Sequence, residues 1–407
     1  MMNTVPASAA RPGAPRLPGL ARVALVACCV VAVAGCSTVR GWFSKDDDKE
    51  AGPAPLVEFA PTASIQKLWS ASAGKGEGKL GVGQVPAVAD GRVFAAAVRG
   101  GVRAYDLRSG AQVWHYPSDL RLSGGPGVGD GLVVVGGLDG EVVALDAASG
   151  EERWSAQVGN EVISAPMIGL GMVFVRSNDG RLTAFDVRNG ERRWFWNHDV
   201  PPLSVRGNGR SVLGPGYVFI GNDDGTLVAL AAGDGRPLWE VPVGQQEGRT
   251  ELDRMADVDG QPLLDGTAIY ATSFKGTTIA IDAPSGQPMW ASENGGLGGL
   301  AAGASVLVAT AGDGTVYGLD KTTGSALWQQ PGLLRRGVSA PAAQGEYAVV
   351  GDAEGYLHWM RLYNGEFAAR TRLGRDPVRG APVVSDGILV VQDTGGRLAA
   401  YQLGQQP

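Results

Sequence analysis

The sequence predicts an all-β chain: an eight-bladed β-propeller of four-stranded antiparallel blades, its ring closed by the N-terminal strand. Three observations carry that expectation. A glycine heads a similar segment eight times, at 100, 140, 180, 225, 276, 314, 355 and 396. A tryptophan follows fourteen residues later at 114, 154, 194, 239, 290 and 328. With 63 glycines in 407 residues, no long stretch keeps a helical period. Units of roughly forty residues that repeat across a chain are propeller or solenoid spacing.

Before the repeats lie two segments, one for processing and one for linking. Arg11, Arg16 and Arg22 precede the apolar run 23–34, which ends in "VAGC" at 33–36. A basic stretch, a short apolar core and small residues before a cleavage point read as a secretory signal over 1–35. Twelve apolar residues are too few to cross a bilayer as a helix, which needs about 20. The "VAGC" run is similar to a bacterial lipobox, which implies cleavage before Cys36 and acylation, with palmitate among the acyl groups, at that residue. Ser37 follows where inner-membrane retention calls for aspartate, so the expected location is the periplasmic face of the outer membrane, lipid-anchored. Residues 36–62, including "KDDDKEAGPAP", are too polar and Pro-rich to fold and read as a flexible linker. The propeller is expected over 63–407.

Cleavage removes three arginines and no acid, so the formal charge moves from −6 to −9. An acidic chain lacks the basic surface that a nucleic-acid partner requires. Cys28 and Cys29 leave with the signal, so Cys36 is the one cysteine left and no intramolecular disulfide can form.

Each repeat reads as four short strands. Compare "DGEVVALDAASGEERW" (139–154) with "DGRLTAFDVRNGERRW" (179–194) and "DGTVYGLDKTTGSALW" (313–328). "SAP" opens the first strand and "GxVxV" runs through the second. The Asp-Gly pair makes a tight hairpin, because glycine takes positive φ without a steric penalty. "xVxALD" is the third strand, and an "SG" or "TG" turn leads to a fourth that ends at Trp. The seventh copy has Ala369 at the Trp position. The eighth stops at "AAYQLGQQP", short of a fourth strand. "IQKLWSAS" (65–72), with Trp69, supplies the missing strand and covers an edge that would otherwise invite association. This Trp-and-Gly repeat resembles the tryptophan-docking repeat of pyrroloquinoline-quinone dehydrogenases.

Signs of catalysis are weak. The Cys-Cys pair such enzymes often carry occurs here only inside the signal. "GLGGLA" (296–301) is not followed by a helix, so a phosphate-binding turn is not expected. His115, His198 and His358 have no metal-ligand spacing, and His358 reads as a packed strand residue. The "DVD" at 257–259 lacks the glycine and distal glutamate of an EF-hand loop. No metal, cofactor or enzymatic activity is expected.

Length varies only between one Trp and the next glycine. That interval is 26 residues in a 40-residue step, but 31 from Trp194 to Gly225 and 37 from Trp239 to Gly276. Both expansions leave consecutive blades on one face, so the two loops should be neighbours. "HDVPPLSVRGNGRS" (198–211) offers Leu203 and Val205 beside Arg206 and Arg210. "GRTELDRMADVDG" (248–260) offers Glu251, Asp253, Asp257 and Asp259. Apolar residues framed by charge suit an interface core with a polar rim. Two solvated loops bonded only to each other are the alternative.

Three segments, "PPLSVRG" (201–207), "TELDRMADVDG" (250–260) and "GDAEGYLHW" (351–359), are not parts of an ordinary docking repeat. With the lipobox, the acidic linker and all eight repeats, they identify a resemblance to the BamB family, propeller lipoproteins of the outer-membrane β-barrel assembly (BAM) machinery. The resemblance implies docking on POTRA domains of a BamA-type barrel subunit, through Leu203, Val205, Arg206, Asp257 and Asp259. Val205 stands where the family usually has leucine. Other lipoproteins of the complex would be indirect partners, and unfolded outer-membrane proteins possible substrates assisted into the membrane. Two other readings stay open at this point: a propeller with another periplasmic partner, and a quinoprotein-like enzyme.

Overall fold

The computed structural model describes residues 52–78, 80–201, 203, 209–244, 255–296 and 298–404. The signal segment and Cys36 lie outside these, as do Val205, Arg206 and residues 245–254. Among the described residues thirty-two strands form eight four-stranded sheets. In seven of them four consecutive strands pair antiparallel in chain order, as in blade three: Met167–Gly169, Met172–Arg176, Arg181–Asp186 and Arg192–Asn197. The short first strands of neighbouring blades contact one another around the axis. The eighth blade joins both ends of the domain: Ile65–Ser72 pairs with Arg397–Leu403, Ile65 opposite Leu403 and Ser72 opposite Arg397. The ring closes as the repeat pattern predicts.

The eight repeat glycines all have positive φ, between 79° and 110°. An L-residue with a Cβ would be strained there, and this fixes glycine at the hairpin between second and third strands. Those two strands read as near-continuous apolar runs because neighbouring blades cover both sheet faces. Leu132–Gly136 is buried at every position. Each core cluster spans two blades: Phe94, Ala104 and Trp114 of blade one pack with Val133, Val143 and Leu145 of blade two.

Tryptophan latches one blade to the next. Each Trp sits opposite a small residue of its own third strand: Ala144 faces Trp154, Ala229 faces Trp239, and Gly318 faces Trp328. The indole crosses to the following blade and donates to a backbone carbonyl there, Trp154 to Val187 at 2.9 Å and Trp239 to Ala283 at 2.9 Å. The ring lies on the glycine of that blade's last turn; a Cβ on Gly190 would come within 2.6 Å of Trp154. Trp69 does the same at the closure, donating to Leu107 at 2.8 Å and covering Gly110. The fourth strand does not end at Trp, as the pattern suggests, but runs past it, to Gln157 in blade two. The indole needs ladder on both sides to hold its position opposite the small residue.

Blade seven reverses this pair. Trp359 is on its third strand and Ala369 faces it from the fourth. The Trp359 indole is fully buried, donates to Gln344 Oε1 at 2.8 Å and meets Tyr401 of blade eight edge-on at 6.1 Å. Counting ten residues from the repeat glycine, the docking glycine of blade eight falls at Gln406, beyond the described residues. The sequence offers no glycine at that spacing for an outer-strand Trp of blade seven, and the aromatic bulk sits inward instead.

The linker read over 36–62 does not run free to its end. Residues 53–62 lie along blade seven. Arg336 and Arg370 donate to the carbonyls of Ala54 (2.8 Å) and Val57 (3.0 Å), and Phe59 stacks on Phe367 at 5.5 Å. Composition hid this because the docking uses backbone carbonyls and one aromatic ring rather than an apolar face. Behind the arginines, fully buried His358 bonds Asp352 at 3.0 Å and accepts from Arg370 at 3.2 Å. "GDAEGYLHW" is thus the base on which residues 53–62 rest.

Candidate partner-docking site

Both elongated connections leave outer strands of adjacent blades, Arg192–Asn197 of blade three and Pro237–Pro242 of blade four. They meet, as their positions predict. A Cβ built on Gly209 would lie 2.6 Å from the carbonyl oxygen of Asp259 and 3.1 Å from that of Gly260. The first connection begins on a firm base. His198 stacks on Trp196 with ring centroids 5.3 Å apart, and its Nε2 is 2.8 Å from Asp224 of blade four's hairpin. The Asp224 bond, partly opposed by burial, raises the pKa of His198. Leu203 then stands 43% exposed.

The second connection returns through the core. Met255, Ala256 and Val258 are buried, and Val258 belongs to the cluster between blades four and five. Val258 N donates to Asn222 O at 3.1 Å, and Asp257 O accepts from Phe274 N at 2.8 Å. Gly221 permits the passage, since a Cβ there would come within 2.4 Å of the Val258 carbonyl.

This registration turns the carboxylates inward. Asp257 is 0% exposed and so is not on the outer surface that the docking expectation requires of it. The physical reason is that Ala256 and Val258 fix both its neighbours in the core. A lysine at 257 would be buried, so the fold would not tolerate the charge reversal as a surface position would. Asp259 is mostly buried, and its Oδ2 has no hydrogen-bond partner. Burial, reinforced by Asp223 and Asp257 and opposed by Arg176, raises its pKa well above the usual carboxylate range.

Arg176 is the residue that sequence reasoning missed. It is buried, donates to Gly221 O at 2.5 Å and lies 3.7 Å from Asp223. The signal was available: in the other blades the second strand ends in Ala96, Gly136, Gly221, Thr272, Thr310, Gly351 or Gln392. Only blade three ends it with a charge. Arg176 thereby ties blade three to the blade-four hairpin beneath both loops. Among the described residues no group of three or more His, Cys, Asp or Glu is placed to hold a metal ion.

The fold and this loop pair define a class: a closed propeller of tryptophan-docking repeats, individualised by two long inter-blade connections resting on a buried charged base. A family model described as outer membrane protein assembly factor BamB matches residues 98–330 and 312–405. A protein of that name from Xanthomonas campestris is 55% identical over 397 residues, covering 94% of this chain and 98% of its own length. Its namesake in Escherichia coli K12 is 32% identical, covering 93% and 96%. The crystal structure of BamB from Moraxella catarrhalis superposes with a TM-score of 0.76 at 27% identity, over 83% of this chain and all of that one. A quinohemoprotein alcohol dehydrogenase from Pseudomonas putida shares the fold alone, with a TM-score of 0.65 at 16% identity over 87% of this chain and 79% of its own. The chain belongs to the outer membrane protein assembly factor BamB family.

Proposed function

We propose that this protein is a lipid-anchored, non-enzymatic subunit of the outer-membrane protein assembly machinery, docking on POTRA domains of a BamA-type subunit. Its site is the face built by the paired connections 198–211 and 243–262. Membership of the family along nearly the whole chain supports the role. The observation that carries the site is the abutment of Gly209 on Asp259, which brings the described ends of the two connections together. Leu203 of the first connection is exposed and apolar, and Val205 and Arg206 would add to the contact. A few central residues, often including arginine, dominate the energy of such interfaces.

Asp257 would act from within the fold rather than by touching the partner, and Asp259 would sit beside Arg176 and Asp223 at the base of the second loop. Cys36, acylated, would keep the propeller at the periplasmic face of the outer membrane. One acyl chain binds membranes marginally, and several anchor stably. The test is purification of the tagged full chain from detergent-solubilised outer membranes. The barrel subunit should co-purify with the wild type and be depleted with Leu203→Asp. Its absence from the wild-type preparation would refute the reading.

A further inference from the structure

The propeller axis holds a cavity of about 740 Å³ whose wall comes from all eight blades. Sites for small molecules typically measure about 300–1,000 Å³. The wall is largely backbone and small side chains placed just before each first strand. Those first strands are sheet edges, paired on one side only, so backbone groups face the axis.

One position breaks the pattern. Two residues before the first strand, the blades carry Val85, Gly125, Ala165, Gln261, Gly298, Ala340 and Ala381, but blade four carries Arg210. Arg210 is half-buried on the channel wall. It makes one long hydrogen bond across the axis, to Pro126 O at 3.3 Å, and no ion pair with a described residue. Arginine has five donors, and among the described residues one of them is engaged. Arg379 of blade eight lines the same cavity, with the buried Glu77 carboxylate as an electrostatic neighbour. The third charged residue in the wall, Asp259, is held toward its neutral form by burial and by Asp223 and Asp257. An acidic protein thus carries a cationic lumen. Burial lowers the Arg210 pKa only to about 10, so the charge persists at neutral pH. A half-buried guanidinium with no ion-pair partner among the described residues gains from an anion that supplies one.

We propose that this axial cavity is a binding site for an organic carboxylate, seated on the guanidinium of Arg210 with Arg379 as a second cation. A planar guanidinium pairs bidentately with a carboxylate, and the glycine- and alanine-lined wall leaves room for a short apolar chain behind it. A free organic acid and the C-terminus of a peptide offer the same group.

The full chain in detergent, at constant ionic strength, is titrated calorimetrically with succinate, with acetyl-trialanine and with its C-terminal amide. Arg210→Gln and Arg210→Lys are titrated in parallel. Either acid should bind saturably, at least tenfold more tightly to the wild type than to Arg210→Gln, with Arg210→Lys between them. The amide should not bind. Tighter succinate binding assigns the site to free acids, and tighter peptide binding assigns it to chain termini. Arg210→Gln should melt no lower than the wild type, since it breaks no ion pair among the described residues. Failure of both acids to bind, equal binding of acid and amide, or undiminished binding to Arg210→Gln overturns the proposal.

Discussion

Gly209 lies against the main-chain carbonyl of Asp259 with no room for a methyl group: an added Cβ would stand 2.6 Å from that oxygen. The neighbour is backbone and cannot swing away. Gly209→Val should therefore part the two connections, with an overpacking cost of about 1–3 kcal/mol. Differential scanning calorimetry should show a lowered Tm, and binding to the POTRA domains should weaken with it. An unchanged melt and unchanged affinity would mean that the loops do not depend on this contact.

Asp259 should be a liability to stability at neutral pH. Its folded pKa is raised well above 3.8, so the folded chain holds the proton more tightly than the unfolded one. The stability this gives is present in full below the unfolded pKa and is lost as pH rises toward the folded value. Asp259→Asn keeps the shape and cannot ionise. It should raise Tm at pH 7, with the gain fading below about pH 4. A loss at pH 7, or a gain independent of pH, would show that the ionised carboxylate is favourably held.

The ring closure should count as much as any internal joint. Trp69 and Trp154 make the same two contacts, a carbonyl bond and a glycine seat. Truncating either to alanine should cost about 3–5 kcal/mol. Chemical denaturation of the two variants should give similar losses. A negligible effect at Trp69 alone would make the N-terminal strand dispensable.

Much of this was legible in the sequence, for reasons visible in particular residues. The glycines at 140 and 150 mark two positive-φ turns whose spacing sets the blade, and Trp69 announces the strand that the C-terminus lacks. The adjacency of the long connections followed from their place between Trp and the next glycine. The direction of Asp257 did not. Loop composition suggests solvent, whereas Met255, Ala256 and Val258 pull the segment into the core, and that packing is decided by blades four and five together. The docking of residues 53–62 was equally hidden, since it depends on Arg336 and Arg370, almost three hundred residues away.

The reversed pair in blade seven should not be portable. Trp359→Ala should cost about 3–5 kcal/mol by leaving a cavity beside Tyr401. Adding Ala369→Trp restores the arrangement of the other blades, yet Gln406 replaces the glycine on which that indole would lie. The double variant should stay as unstable as Trp359→Ala in urea denaturation. Recovery to wild-type stability would show that the docking turn is not needed.

The most direct test of docking by the paired loops is calorimetric affinity for isolated POTRA domains of the barrel subunit. The variants are Leu203→Asp and Arg206→Glu, with Met289→Ser as control. Met289, 56% exposed, is on the outer strand of blade five and belongs to neither connection. Loss of a central interface residue costs about 2 kcal/mol or more, near thirtyfold in Kd. The expected result is that weakening for both loop variants at unchanged Tm, with Met289→Ser binding as the wild type. Wild-type affinity in both loop variants would contradict docking through this face.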